Sequence, residues 1–356
     1  MRVCIRVDDR HDKQSMTDSQ GTANTPAKKK RSRIVTVIAW CVAGLLVPAC
    51  GAWVIGRGSY WFDVIASQQM LISWVALVVT IAMLLTRRKA PTVVCAVLVV
   101  VSFYPVLTGR VWSLPEVDLS RKPEGVIRII TSNTHPQNDG WSDDLEALMS
   151  YDADVLMLIE VHPELSRSIR NRHYLDNTLY PHWAHRWWVE QETSPGFIIS
   201  RWPIEQLTSS DEPGIAQNQL YARIEHPEHP FIAGLLHPLS PRTQSRWANG
   251  NFVIESQRMA MEQLNERTGL SLLIGADLNA GPAQRRADIL RAGGLRMSKP
   301  VLKMNGSFPI GNSIPRALRV QLDDVWSRGN LKPVAWGMVR VPGSDHLAVV
   351  VDFEAR

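Results

Sequence analysis

Cysteine is scarce in this chain and is confined to its beginning. The four cysteines, Cys4, Cys41, Cys50 and Cys95, all lie before residue 100. The rest of the chain can therefore form no internal disulfide and can use neither a thiol nucleophile nor a cysteine ligand to a metal. Cysteine chemistry is excluded from that part.

Several motifs of common enzyme classes are also missing. There is no Walker sequence, no GxGxxG following a strand, and no repeat at a solenoid period. A serine hydrolase would need a GxSxG elbow, and the segment from Gly196 to Ser200 has the wrong spacing. These absences disfavour nucleotide-cradling folds and serine hydrolases.

Charge is absent from the first long apolar run, residues 34–56. A helix needs about 20 apolar residues to cross a bilayer, and two further runs approach that length. The predicted order is a disordered cytoplasmic tail, three transmembrane helices, a linker and one catalytic domain. Their ranges are residues 1–33, about 34–56, 64–85 and 91–109, 110–124, and 125–356.

The basic residues indicate how the spans are oriented. Part of the net charge of +5 lies in a cluster from Lys28 to Arg33 and in another from Arg87 to Lys89. Because short cytoplasmic flanks are enriched in Lys and Arg, both clusters are expected inside the cell. We therefore predict a multi-pass plasma-membrane protein whose partner is the lipid bilayer, with a cytoplasmic N-terminus and an extracytoplasmic catalytic domain.

After residue 125 the chain alternates short apolar runs with helix-compatible stretches, which predicts an α/β domain. The helix-compatible stretches are Asp143 to Tyr151 and Phe252 to Arg267. The apolar runs are expected to be buried strands. They are Val126 to Ile130, Val155 to Ile159, Phe197 to Ile199, Phe231 to Leu236, Leu270 to Ile274 and Ala348 to Val351.

Polar residues of the metal-ligand and acid/base types recur at the ends of these runs, where open sheets build their sites. A single such residue is ordinarily a turn or cap residue, but the repetition predicts one shared site. Hard oxygen donors without cysteine favour Mg²⁺ or Mn²⁺. The residues are Asn133, Glu160, His237, Asp277, Asn279, Asp345 and His346.

The motifs stand in the order found in the endonuclease/exonuclease/phosphatase family, and the chain resembles that family from about residue 125 onward. They are Asn133 after the first strand, DVLMLIE ending at Glu160, GFIISRWPI, LLHP with His237, IGADLN with Asp277 and Asn279, SFP at Ser307, QLDDVW with Asp323, and SDH with Asp345 and His346.

The resemblance implies a four-layered αββα sandwich of the DNase I-like type and in-line attack of metal-activated water on phosphorus. Glu160 would bind the divalent ion with help from Asn133 and Asp345. His237 and His346 would contact the scissile phosphate, Asp277 would position or deprotonate the water, and Asn279 would orient the water or a phosphate. Asp323, rather than its neighbour Asp324, would hold His346 in its productive tautomer.

The fold does not identify the phosphoester, so the predicted topology guides the choice of substrate. The chain resembles membrane-anchored, teicoplanin-resistance members of the family, which implies a lipid-linked phosphate or pyrophosphate such as undecaprenyl pyrophosphate. Arg186 and Arg201 are candidate phosphate contacts, or simply surface residues. The alternatives are an anchored extracytoplasmic nuclease, although no excess of DNA-binding residues is evident, and an inactive membrane scaffold. No pattern indicates the oligomeric state.

Overall fold

The computed structural model describes residues 26–85, 89–138, 140–171, 175, 178–187, 195–207, 219–310, 314–315 and 318–356. The helices in these ranges are α1 Pro26–Cys50, α2 Ala52–Ile55, α3 Tyr60–Ala66, α4 Gln69–Leu85, α5 Lys89–Leu107, α6 Trp141–Ser150, α7 Pro163–Arg170, α8 Gln244–Thr268 and α9 Arg285–Ala292. The strands are β1 Ile127–Asn133, β2 Val155–Ile159, β3 His182–Trp187, β4 Pro195–Ser200, β5 Ile204–Gln206, β6 Gln219–Ile224, β7 Phe231–Leu236, β8 Ser271–Asp277, β9 Arg296–Met297, β10 Asp323–Arg328, β11 Leu331–Arg340 and β12 Leu347–Ala355.

The strands form two six-stranded sheets. The first has the order β11-β12-β1-β2-β4-β3 and the second the order β5-β6-β7-β8-β10-β9. Each contains one central parallel pair, β1 with β2 and β7 with β8, while the other pairings are antiparallel. The six predicted strands and both predicted helices are confirmed, and the domain is of the mixed α/β class.

Three clusters of buried side chains show that the domain has four layers. Inward-facing residues of both sheets, such as Ile129 and Leu273, share the central cluster. The outer face of the first sheet packs against α6 and α7 through residues such as Leu148. The outer face of the second sheet packs against α8 and α9 through residues such as Leu290. Helices therefore cover both outer faces of the paired sheets.

The two sheets approach each other closely at Gly275 in β8. A Cβ atom at this position would lie 2.6 Å from Sδ of Met157 and 2.8 Å from Oγ1 of Thr131, both on the facing sheet. Contacts this short do not occur between real side chains, so only glycine permits the observed separation. This approach brings the end of β8 near the end of β1.

The N-terminal helices match the predicted spans only in part. The segments Arg33–Ile55 and Lys89–Leu107 are long and apolar enough to cross a membrane. Between them, α3 and α4 are bent by 70° relative to each other, as in a broken span or a re-entrant loop. The predicted span over about residues 64–85 thus contains a break at Ser67 and Gln68, between the end of α3 and the start of α4, and the third span is not confirmed.

The predicted disordered tail of residues 1–33 is also too long, since α1 begins at Pro26. Residues 1–25 of that tail lie outside the described residues.

The predicted linker, residues 110–124, runs along the surface of the catalytic domain. The guanidinium of Arg110 donates to the carbonyl oxygens of Lys299 at 3.1 Å and Pro300 at 2.9 Å. Backbone hydrogen bonds join Val111 to Val301 at 2.9 Å, and the side chain of Val117 is buried. The linker therefore fastens the end of α5 to the catalytic domain.

A buried ion pair holds two neighbouring strands of the first sheet together. The guanidinium of Arg128 in β1 donates to both carboxylate oxygens of Asp352 in β12, at 2.7 and 3.0 Å. The Arg128 side chain is fully buried and also donates to the carbonyl oxygens of Tyr151 and Asp118. Removing one partner of such a pair leaves an uncompensated buried charge.

We expect Arg128→Met to lower the free energy of unfolding by about 3–5 kcal/mol, because Asp352 then remains buried without its partner. Urea titration of the full-length protein in detergent, followed by tryptophan fluorescence, measures this change. The matched control is Arg167→Ala, which breaks an exposed pair with Glu164 and is expected to cost less than about 1 kcal/mol. Equal losses in the two variants would contradict the structural role of the buried pair.

Candidate active site

The polar residues predicted to share a site meet at one edge of the paired sheets. Because β1 lies parallel to β2 and β7 parallel to β8, their carboxyl ends are at the same edge. The strands β10 and β12 begin there, since they run antiparallel to β8 and β1. A single cleft of about 580 Å³ is lined by Asn133, Glu160, His237, Asp277, Asn279, Asp345 and His346, among others.

Asp277 lies at the centre of this group. Its carboxylate accepts a hydrogen bond from Nδ2 of Asn133 at 3.1 Å, which joins the two sheets, and one from the backbone N–H of Asn279 at 2.8 Å. Burial alone would raise the pKa of Asp277, but the positive charges of His346 and His237 and these hydrogen bonds keep it below its usual value. Asp277 is therefore a buried carboxylate that stays deprotonated.

His237 follows β7 and faces Glu160. Its Nε2 lies 3.1 Å from Oε1 of Glu160, 3.9 Å from Oδ2 of Asp277 and 3.4 Å from Nδ2 of Asn279. Burial opposes the charge on His237, but the hydrogen bond and charge of Glu160 raise its pKa above the usual value. In turn, burial would raise the pKa of Glu160, but the hydrogen bond and the charge of His237 lower it below its usual value.

His346 and Asp323 form a hydrogen-bonded dyad beside Asp277. Nδ1 of His346 lies 2.7 Å from Oδ2 of Asp323, and the raised pKa of His346, about 10, results from the Asp323 charge outweighing burial. Successive residues of a strand point to opposite faces. Asp324 accordingly faces away from His346 and accepts hydrogen bonds from the N–H of Lys299 at 2.8 Å and from Nε1 of Trp336 at 3.1 Å.

The backbone is strained at the strand exits that form the cleft. Glu160 has φ of 54°, Asn279 has φ of 48° and His135 has φ of 60°. Residues with a Cβ atom rarely adopt this left-handed conformation, which costs about 1–3 kcal/mol per residue and is concentrated at functional sites. The strain turns the Glu160 and Asn279 side chains from their strands into the cleft.

The donor atoms in the cleft fit a hard divalent cation. Ligand atoms of Asp277, Asp323 and His346 lie within 4.8 Å of one another, and Oδ1 of Asp323 is buried without a hydrogen-bond partner in the described structure. However, His346 and Asp323 already bond to each other at 2.7 Å. The carboxylates Glu160 and Asp345 and the amide of Asn133 line the same cleft and are oxygen ligands of the type that Mg²⁺ and Mn²⁺ prefer.

The contribution of helix α3 to the cleft was not predicted from the sequence. Tyr60 and Val64 of α3, with Ser67 directly after it, line the cleft together with Asp277 and His346. The available signal was Asp63, the sole acidic residue between residues 34 and 109. Carboxylates next to apolar spans are rare and generally have a specific partner.

Asp63 docks α3 onto the catalytic domain. Its buried carboxylate accepts hydrogen bonds from Nε1 of Trp247 at 2.8 Å, from the backbone N–H of Arg285 at 2.8 Å and from Nε2 of Gln284 at 3.4 Å. Arg285 is the first residue of α9, and the N-cap residue Gln284 makes no side-chain cap of its own. Asp63 therefore satisfies the end of a catalytic-domain helix from outside the domain.

The two predicted phosphate-contacting arginines have different outcomes. Arg201 lies at the opposite edge of the first sheet, because β4 runs antiparallel to β2, and its guanidinium pairs with Asp152 and Asp154. The prediction that Arg201 contacts phosphate at this cleft was therefore wrong. The backbone of Arg186 belongs to β3, but its side chain lies outside the described residues. The cations that do line the cleft are Arg242 and Arg246.

Comparison with known proteins found similar solved structures. Among solved structures, D. rerio TDP2 complexed with a single-strand DNA product is 15% identical with a TM-score of 0.48, and the match covers 65% of this chain and 100% of that one. The human Nocturnin catalytic domain is 16% identical with a TM-score of 0.44, covering 66% and 97%. A Bacteroides thetaiotaomicron mannosyl-6-phosphatase is 14% identical with a TM-score of 0.47, covering 64% and 99%.

No curated protein matches the chain at a significant level of similarity. The family model described as Endonuclease/Exonuclease/phosphatase family matches residues 124–346, which is more than half of the chain. The enzymes of this family generally use divalent metal ions. The chain therefore belongs to the endonuclease/exonuclease/phosphatase family, whose members are phosphoric ester hydrolases.

Proposed function

We propose that this protein is a membrane-anchored, divalent-metal-dependent phosphoesterase that hydrolyses a lipid-linked phosphate or pyrophosphate, such as undecaprenyl pyrophosphate, at the outer face of the membrane. The observation that carries the proposal is the cleft lining, in which Tyr60, Val64 and Ser67 of the membrane-proximal segment lie beside Asp277 and His346. A reactive centre built partly from that segment is suited to substrates that stay in the bilayer.

The metal ion would be held by Glu160 and Asp345, with the amide oxygen of Asn133 as a third donor. When bound, Mg²⁺ or Mn²⁺ neutralises charge on the phosphoryl oxygens and increases the acidity of the attacking water. Oε1 of Glu160 lies 3.1 Å from Nε2 of His237, which would orient this carboxylate for the ion.

The proton of the attacking water would pass to Asp277. This carboxylate is buried, deprotonated at neutral pH and held from two sides by the hydrogen bonds of Asn133 and Asn279, so its orientation is fixed. A base that is already oriented needs no rearrangement as the reaction begins, which is the advantage of a preorganised site.

The two histidines would stabilise negative charge on the phosphoryl group. Asp323 accepts the Nδ1 proton of His346, so the Nε2–H of the same ring remains available to a phosphoryl oxygen. Nε2 of His237 faces the same centre from the opposite sheet. The amide of Asn279, held by the carbonyl oxygen of Pro238 at 3.1 Å, would orient the phosphate between the histidines.

The geometry of the helices favours an extracytoplasmic catalytic domain. Nε2 of Gln69 at the start of α4 donates to the carbonyl oxygen of Cys50 at the end of α1, at 3.1 Å, and Arg110 just after α5 bonds to the catalytic domain. These three helix ends lie on the domain side, so the basic clusters at residues 28–33 and 87–89 lie at the other ends. With those clusters in the cytoplasm, the catalytic domain lies outside.

We expect Asp277→Asn to reduce phosphate release from undecaprenyl pyrophosphate at least about 100-fold, because the amide cannot accept the proton of the attacking water. The full-length protein in detergent is assayed with Mg²⁺, and EDTA is expected to abolish the wild-type activity. Arg201→Gln is the control, since Arg201 lies at the opposite edge of the sheet, and this variant should keep turnover within about twofold. Full activity of Asp277→Asn, with its fluorescence spectrum unchanged, would refute the assigned role.

Cysteine labelling tests the orientation. In a background with the native cysteines replaced by serine, Glu228→Cys is expected to react with a membrane-impermeant maleimide in intact cells, because Glu228 is in an exposed loop of the catalytic domain and its side chain is 81% exposed. Arg88→Cys, in the predicted cytoplasmic loop, should react only after lysis. The reverse pattern would place the catalytic domain in the cytoplasm and would overturn the topology.

A further inference from the structure

A second cavity lies between the membrane helices and the catalytic domain. On the membrane side it is lined by the start of α4 and by Val106 of α5, and on the domain side by residues that include Lys303 and Arg319. We name this cavity the crevice. Ser67 and Val320 line both the crevice and the active-site cleft, so the two spaces adjoin.

The domain side of the crevice is rich in cations, several of which have structural partners. Arg110 donates to three backbone carbonyl oxygens, and Nζ of Lys299 lies 2.9 Å from Oε1 of Gln321. Lys303 pairs with Glu116 at 3.0 Å. Burial lowers the pKa of Lys299 well below its ordinary value and that of Arg110 to about 10, so the arginine remains charged at neutral pH. The crevice is therefore electropositive.

Two buried polar atoms in the crevice have no hydrogen-bond partner within the described structure. They are Nε of Arg319 and Oε1 of Gln69, whose residue is only 1% exposed. No carboxylate of the described residues forms an ion pair with Arg319. A buried polar group without a partner costs about 1–3 kcal/mol, and more when it is charged. The unpartnered N–H donor of Arg319 points to an anionic ligand, whereas Oε1 of Gln69 is an acceptor and needs a hydroxyl or N–H donor.

The membrane side of the crevice is apolar. Leu71 and Trp74 of α4 line it, and their side chains are 39% and 40% exposed although both are large and hydrophobic. The ring of Trp74 also packs edge-on against Phe103 of α5, at 5.6 Å between ring centroids. Leu71 and Trp74 belong to the helix that continues as the apolar segment to Leu85. A hydrocarbon chain bound along them would extend toward the bilayer.

We propose that the crevice binds the chain-proximal part of a lipid-linked pyrophosphate, with its hydrocarbon chain against Leu71, Trp74 and Val106 and its non-reacting phosphate at Arg319. This inference rests on the proposed function and adds the subsite that selects lipid pyrophosphates. The reacting phosphate would lie in the adjoining cleft, beside Asp277 and His346.

The size of the crevice supports this choice of ligand. Its volume of about 120 Å³ is small beside the cleft of about 580 Å³. A nucleic-acid duplex is far too wide to enter a space of this volume. The two cavities share Ser67 and Val320, and the proposal places one phosphate of the pyrophosphate in each.

The test compares three crevice variants on two substrates that share the reacting group. We expect Trp74→Ala to lower the preference, as the ratio of kcat/KM values, for undecaprenyl pyrophosphate over the short-chain isopentenyl pyrophosphate by about tenfold. Leu71→Asn should lower the same ratio, so the result does not depend on one variant that is also packed against Phe103. Arg319→Gln should weaken the binding of both pyrophosphates by about tenfold, because both carry the non-reacting phosphate.

The control is Arg267→Gln, which removes a charge in the last turn of α8. It should change neither the ratio of kcat/KM values nor the affinity for either pyrophosphate. Binding of undecaprenyl pyrophosphate to the full-length protein in EDTA gives a second readout that needs no turnover. One result would overturn the crevice proposal and leave the proposed function standing. In it, the wild-type protein hydrolyses undecaprenyl pyrophosphate, and all three crevice variants keep its kcat/KM ratio and its affinity.

The opposite combination separates the two proposals as well. Crevice-dependent binding of undecaprenyl pyrophosphate without hydrolysis under any metal condition would support the crevice and overturn the proposed function. If the wild-type protein neither binds nor hydrolyses either pyrophosphate, both proposals fail.

Discussion

The hydrogen bonds that the Asp63 carboxylate accepts are the interaction on which the candidate active site depends. The carboxylate accepts them from Trp247, Gln284 and Arg285 and thereby attaches α3 to the rim of the catalytic domain. This contact holds α3 where its residues Tyr60 and Val64 line the cleft. The buried charge is compensated by a helix N-terminus and two side-chain donors, as a carboxylate in such a position requires. One residue thus attaches the N-terminal helical segment to the candidate active site.

A second constraint is the close approach of the two sheets, which Gly275 permits. It brings Asn133 from one sheet within 3.1 Å of Asp277 from the other, so that the groups at the strand ends form one network. In this network Asp323 holds His346, and Glu160 bonds to His237. Acids and imidazoles stabilise one another's charges there, and this explains how so many ionisable groups can be buried together.

Much of the catalytic domain could be predicted because its central strands are continuous apolar runs that end in polar residues. Parallel pairing then brings Asn133, Glu160, His237 and Asp277 to one edge. Arg201 was misplaced because the sequence around a strand does not reveal its direction, and β4 proved antiparallel to β2. The polar residues 67–69 weaken the start of the second span in the sequence, but hydropathy does not reveal the 70° bend between α3 and α4. The partners of Asp63 lie 184 to 222 residues away, beyond the reach of any local pattern.

The central claim, that the active site acts on phosphates of membrane lipids, is tested most directly by comparing substrates. The purified full-length protein in detergent is given undecaprenyl pyrophosphate, a phosphodiester lipid and DNA in parallel, each with Mg²⁺, with Mn²⁺ and with EDTA. The account predicts metal-dependent phosphate release from undecaprenyl pyrophosphate and no cleavage of DNA. Metal-dependent cleavage of DNA alone would contradict it and would identify the protein as an anchored nuclease.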